Sequence, residues 1–102
     1  MSKQEKIMSN RVKASHILVK TEAEALDIKN RIENGEIDFP HAAGQYSFCP
    51  SGGDGGDLGW FEKGVMVKPF EDAAFSAELN KVTNPIQTQF GWHLILVTDK
   101  ED

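Results

Sequence analysis

The chain has 102 residues, of which 39% are hydrophobic and 26% are charged, and this composition predicts one ordinary globular domain. Eleven Lys and Arg residues against 16 Asp and Glu residues give a formal charge of −5. Nucleic acid and anionic membrane are therefore not expected partners, because either would require a basic face. The single cysteine excludes an internal disulfide.

The first eleven residues are polar and lack the apolar core of a secretory signal. We expect residues 1–10 to form a flexible tail before a domain that spans residues 11–102. The longest aliphatic run, Leu94 to Val97, is far shorter than the ~20 residues that cross a bilayer. These features predict a cytoplasmic protein, unless the domain was cut from a longer exported one, and a monomer is the default expectation.

The first predicted element is a strand from Val12 to Val19, which carries apolar residues on both faces and therefore belongs in the middle of a sheet. The capping box Thr21-x-x-Glu24 then predicts the start of a helix, which Asn34-Gly35 ends. Asp38, with Pro40 in the first turn, predicts a second helix that runs to about Tyr46.

The second half of the chain begins with a predicted loop from Ser47 to Gly59, which contains five glycines. A short strand is predicted around Leu58 to Phe61, and Pro69 at the first helical position opens a third helix. Closing strands follow, with Gly91 to Thr98 the strongest of them. This order of elements predicts an α+β domain with helices on a small sheet.

Two histidines, His16 and His93, lie within the first and last predicted strands among aliphatic residues. Considered alone, each of them is interpreted as a buried, neutral histidine with a structural role. If the two strands pair in the middle of the sheet, however, both rings reach one place. A mutual hydrogen bond between them is then the least costly arrangement, because a buried imidazole requires partners for its nitrogens.

Cys49 lies in the glycine-containing loop beside Pro50. Four interpretations of Cys49 are open: a small half-buried residue, a nucleophile, a metal ligand, or a polar group that faces a substrate. Its distances along the chain from His16 and His93 match no local metal-binding signature. The following run, Gly52 to Asp57, lacks the Lys-Ser/Thr pair of a phosphate loop and is interpreted as a tight turn.

Several apolar residues lie outside the main periodic runs and fit either the core or the wall of a binding site. Methionine suits such a wall because its side chain is flexible. These residues are Leu58, Phe61, Met66, Phe70 and Phe90.

Four segments, taken together and in order, resemble the parvulin family of peptidyl-prolyl cis–trans isomerases. The similarity covers nearly the whole chain. The segments are Ala14 to Val19, Ser51 to Phe61, Gly64 to Phe75 and Thr88 to His93.

The resemblance implies a four-stranded, mostly antiparallel sheet surrounded by helices, and an activity that speeds rotation about the peptide bond before proline. It implies catalytic roles for the paired histidines, for a position that is Cys or Asp in the family, and for a hydroxyl in their network. It also implies a proline pocket with a rim, and neither cofactor nor metal. The catalytic positions are His16, Cys49, Thr88 and His93; the pocket positions are Leu58, Met66 and Phe70, with Val67 as wall and Phe90 as rim.

One departure from the phospho-specific branch of the family concerns the loop after the first strand. Residues 20–24 contain Lys20 but also Glu22 and Glu24, whereas a phosphate would require several cations. We therefore predict a cofactor-free isomerase that acts on proline-containing polypeptides without a phosphate requirement. The alternatives are a proline-peptide-binding chaperone module without catalysis, and a metal-dependent protein that uses His16, Cys49 and His93.

Overall fold

The computed structural model describes residues 11–101, so the predicted tail of residues 1–10 lies outside the described part of the chain. This part forms a four-stranded sheet with α-helices on both faces. In chain order the elements are β1 (Arg11–Val19), α1 (Glu22–Glu33), α2 (Phe39–Tyr46), a short 3-10 helix (Pro50–Asp54), β2 (Asp57–Glu62), α3 (Lys68–Ser76), β3 (Ile86–Thr88) and β4 (Gly91–Glu101).

The strand order in the sheet is β2-β1-β4-β3, and all three pairs are antiparallel. The central place predicted for β1 is confirmed. Its side chains alternate between two cores: Ile17 and Val19 pack with α1 and α2, whereas Val12 and Ala14 pack with α3. The predicted α+β class is thus confirmed, with the first and last strands adjacent at the middle of the sheet.

The first two helices begin where the local signals predict. The Thr21 hydroxyl accepts a hydrogen bond from the Glu24 backbone N–H at 3.1 Å, and the Asp38 carboxylate accepts one from the His41 N–H at 2.9 Å. One detail of the predicted capping box is wrong. The Glu24 carboxylate accepts a bond from the Thr21 hydroxyl at 3.1 Å, whereas the motif predicts a bond from the Thr21 backbone N–H.

The structure corrects the prediction at two other places. The segment predicted as a loop from Ser47 to Gly59 contains the 3-10 helix, because Pro50 sets the backbone for a turn and the Gly52 N–H reaches the Cys49 carbonyl at 2.8 Å. α3 begins at Lys68, so Pro69 occupies the second helical position rather than the first.

Gly56 brings the end of this turn against β1. Its carbonyl accepts the His16 backbone N–H at 3.0 Å, its φ is +81°, and a Cβ there would lie 2.4 Å from the His16 carbonyl oxygen. Only glycine fits both the close approach and the left-handed backbone. None of the three α-helices within residues 11–101 has the length and apolar character that crossing a bilayer requires.

Candidate functional site

The strand register brings the two histidines together. In the β1–β4 pair, Leu18 lies opposite His93 and His16 lies opposite Ile95, so the two histidines occupy diagonal positions on one face. In the β3–β4 pair, Ile86 lies opposite His93, which makes Thr88 the diagonal neighbour on the other side. His93 is therefore flanked by the two predicted partners, on the face that α3 covers.

Hydrogen bonds join these three side chains. Nδ1 of His16 lies 3.0 Å from Nδ1 of His93, and Nε2 of His93 lies 2.7 Å from the Thr88 hydroxyl. The same hydroxyl accepts the Phe90 backbone N–H at 3.1 Å. Each His93 nitrogen thus has a partner, and one ring of the histidine pair donates while the other accepts.

Burial keeps the histidine pair uncharged. His16 is 6% exposed and His93 is 4% exposed. Burial holds the pKa of His16 below its ordinary value. Burial, reinforced by the neighbouring His16, lowers the pKa of His93 to about 4. Both imidazoles are therefore neutral at neutral pH.

The far nitrogen of His16, Nε2, is buried without a hydrogen-bond partner among the described residues. Such an atom costs free energy, and in native proteins it calls for a functional or structural explanation. The Phe70 ring packs against both imidazoles in T-shaped contacts. Its centroid lies 5.5 Å from that of His16 and 5.1 Å from that of His93. The polar pair is thus enclosed by an aromatic ring from α3.

Cys49 is held near this pair by the end of β1. The Ser47 hydroxyl accepts the backbone N–H groups of Leu18 and Cys49, at 3.0 and 3.2 Å, and the Phe48 N–H donates to the Leu18 carbonyl at 2.9 Å. The Ser51 hydroxyl donates to the Cys49 sulfur at 3.3 Å. The cysteine is half-buried, and its sulfur bonds Ser51 rather than a histidine.

A cavity of about 510 Å³ joins these groups. All five predicted pocket residues line it, together with His16, Cys49 and His93. Thr88 is not part of the wall, but its hydroxyl is hydrogen-bonded to the wall residue His93. The complete wall consists of His16, Leu18, Phe48, Cys49, Pro50, Leu58, Val65, Met66, Val67, Phe70, Phe90 and His93.

Four wall residues were missed by the sequence reasoning: Leu18, Phe48, Pro50 and Val65. A signal existed for three of them. Leu18 shares the predicted strand face of His16, while Phe48 and Pro50 flank Cys49. Val65 carried no signal except its place within a family-like segment. No group of three or more His, Cys, Asp or Glu side chains suited to a metal ion is found within residues 11–101.

This arrangement can hold a small apolar ring and place polar, uncharged groups beside it. Comparison with known proteins agrees with that chemistry. The family model described as the PPIC-type PPIase domain matches residues 1–101. The chain therefore belongs to the PPIC-type peptidyl-prolyl isomerases, the parvulins, and the predicted family, fold and enzyme class are confirmed.

Two kinds of relative stand out. The foldase protein PrsA of Geobacillus sp. (strain WCH70) is 52% identical over 93 residues, which cover 90% of this chain and 33% of that protein. The crystal structure of the peptidylprolyl isomerase PrsA from Bacillus anthracis superposes with a TM-score of 0.89 at 38% identity, covering 96% of this chain and 45% of that chain. The chain spans about a third of the length of the curated relatives it matches.

A single-domain structure is also similar. NmPin, the parvulin of Nitrosopumilus maritimus, has a TM-score of 0.81 and 43% identity, and the match covers 89% of this chain and 98% of that one. The fold is therefore found both within larger foldases and as most of a small protein.

Proposed function

We propose that this domain accelerates rotation about the bond before proline in unfolded or flexible polypeptides, without a cofactor. In this proposal Leu58, Met66 and Phe70 hold the pyrrolidine ring, and the preceding carbonyl turns past the polar groups of His16, Cys49 and His93. One observation carries the proposal: the apolar wall and the histidine pair border the same cavity.

The physical task is to bind the twisted amide better than either planar form. The barrier of ~18–20 kcal/mol comes from the partial double bond between carbon and nitrogen, and no bond has to break. A dry, apolar site disfavours the charge separation of the planar amide. Lowering the barrier by ~4 kcal/mol accelerates rotation roughly a thousandfold.

Neutral histidines fit this non-covalent role. Their lowered pKa values keep them from placing a charge in the cavity, and their mutual bond fixes the shape of the polar wall. In this proposal Cys49 supplies a polar group beside them rather than a nucleophile, which is consistent with a sulfur that accepts a hydrogen bond from the Ser51 hydroxyl at 3.3 Å.

The rim supports binding of apolar chain segments. Phe48, Val65 and Phe90 are 56%, 64% and 61% exposed, and all three line the cavity. Exposed apolar residues grouped at a cavity mouth mark a binding surface. The Lys20 ammonium lies 5.1 Å from the centre of the Phe48 ring and is followed by Glu22 and Glu24. We therefore propose that substrates need no phosphate.

The direct test is a protease-coupled assay on peptides of the form Ala-x-Pro-Phe, together with protease-free exchange measurements by NMR. Acceleration of exchange supports the enzyme. Binding with unchanged exchange would support the alternative, a proline-peptide-binding chaperone module. A phosphoserine-proline peptide turned over much faster than its unmodified form would contradict the absence of a phosphate requirement. Leu79→Ala, a change to an exposed apolar residue outside the cavity, serves as the control.

A monomeric state also belongs to this proposal, as does a cytoplasmic location unless the domain was cut from a longer exported foldase. Sedimentation of the purified chain tests the first. Cell fractionation of the full-length natural protein tests the second, since the chain spans only about a third of its curated relatives.

A further inference from the structure

A buried carboxylate that the proposed mechanism does not use lies beside the cavity. Glu71, in the first turn of α3, is 9% exposed. Its Oε1 accepts the backbone N–H of Gly64 at 2.5 Å. Gly64 belongs to the connection between β2 and α3, which supplies Val65, Met66 and Val67 to the cavity wall. The carboxylate thus connects a rigid helix to a segment that shapes the proline pocket.

The end of this segment is positioned by the packing of Met66 and Val67 against the core on the α3 side, whereas its start is weakly hydrogen-bonded. The Val65 N–H reaches the Glu62 carbonyl only at 3.4 Å, and the Val65 side chain is 64% exposed. Gly64 has φ +92°, so the chain turns sharply where it meets Glu71. The hydrogen bond from the Gly64 N–H to the Glu71 side-chain oxygen therefore defines where the turn lies.

The carboxylate is held in place from the helix side. Val67 caps α3 without a side-chain hydrogen bond, so the first turn presents unpaired N–H groups that favour a negative charge. The Lys68 ammonium lies 3.8 Å from Glu71 Oε2, while it bonds Asp72 more closely at 2.9 Å. The Gly64 N–H is therefore the closest polar partner of the Glu71 carboxylate among the described residues, and Lys68 is a more distant partner that Asp72 shares.

We infer that Glu71 is a positioning residue for substrate binding, because its carboxylate fixes the β2–α3 segment and thereby the wall around Met66. The inference rests on the proposed function of this cavity. Loss of the acceptor would let the wall move away from the ring in both the planar and the twisted amide. The Michaelis constant should therefore change more than the turnover number.

Three variants separate the acceptor from the charge. Glu71→Gln keeps an oxygen at the same reach, Glu71→Leu removes the acceptor at similar bulk, and Glu71→Asp keeps the charge but withdraws it by one methylene. We expect Glu71→Leu to lower kcat/KM about tenfold, mainly through KM, and Glu71→Gln to change it less than about twofold. Asp72→Ala, which removes the other partner of Lys68, should leave it unchanged.

Hydrogen exchange of the Gly64 amide provides a readout that does not depend on activity. We expect faster exchange in Glu71→Leu and unchanged exchange in Glu71→Gln. Wild-type kcat/KM in Glu71→Leu, or equal impairment of Gln and Leu variants, would overturn the inference. If Glu71→Leu does not fold, Glu71→Asp and Glu71→Gln decide. Impaired activity in Glu71→Asp with retained activity in Glu71→Gln supports the inference, and impaired activity in Glu71→Gln with retained activity in Glu71→Asp overturns it. An inactive wild-type protein would instead contradict the proposed function, while hydrogen exchange would still test the bond between the Gly64 N–H and Glu71.

Discussion

Acidification should destabilise this domain before its carboxylates titrate, because the His16–His93 pair is buried in the neutral form. The pKa of His93 is about 4 in the folded protein against an ordinary 6.5. Between these values the unfolded chain binds more protons than the folded one. The free energy of unfolding therefore falls as the pH falls, and the loss is complete below about pH 4.

The expected loss is large for one residue. For His93 alone it is about 2 kcal/mol between about pH 7 and about pH 5, and about 3 kcal/mol in full. The pKa of His16 is lowered in the same direction, which adds to the loss. Asp38 and Glu101 also have lowered pKa values, so their ionised forms stabilise the fold. That stability is lost only at more acidic pH, because carboxyl groups ordinarily titrate near ~4.

Urea unfolding followed by tryptophan fluorescence, repeated across this pH range at constant ionic strength, measures the effect. In His93→Gln the side chain still hydrogen-bonds but does not titrate, so the pH dependence should become shallower. His41→Gln is the control: the His41 side chain is 80% exposed and contacts the Asp38 carboxylate at 2.8 Å, so its replacement should leave the pH dependence of the buried pair in place. A free energy of unfolding that stays constant between about pH 7 and about pH 5, or an unchanged slope in His93→Gln, would refute the reasoning.

Three further predictions concern the site. Met66→Ala combined with Phe70→Ala should reduce isomerase activity more than about tenfold, since both side chains form the cavity wall; undiminished turnover of a folded variant would mean that the site lies elsewhere. Cys49→Asp should retain activity in the same assay, because the proposed role needs a polar group and not a nucleophile, and abolished turnover with an intact fold would argue for covalent chemistry. Thr88→Val should lower the free energy of unfolding by about 1–3 kcal/mol in urea titrations, because it leaves His93 Nε2 without its partner; Thr98→Val, at an exposed hydroxyl, should change it little.

The chemistry of the cavity also shows why both histidines belong to one unit. A proton on either ring converts an acceptor into a donor, and protonation of both would place two N–H groups against each other at the Nδ1–Nδ1 contact. The polar wall then loses the geometry that the proposed mechanism requires. We therefore expect isomerase activity and stability to decline over the same acidic range, as parallel measurements on one sample would show.

Much of the local structure was predictable because its causes lie within a few residues. Thr21 and Asp38 cap helices through their own nearby N–H groups, and Asn34 with Gly35 ends α1 at the expected place. The apolar character of both faces of β1 indicated its central position. The family segments indicated which side chains form the site, although their catalytic and binding roles remain predictions.

Other features depend on residues far apart in the chain, and only the tertiary structure decided them. The three-residue β3 is too short to show a period, yet its pairing with β4 places Thr88 beside His93. The bond between His16 and His93 joins positions 77 residues apart, and strand register alone determines that the rings are diagonal neighbours. Glu71 looks like any charged residue in a helical first turn. Its burial against Gly64 follows from the path of the loop, which no local pattern specifies.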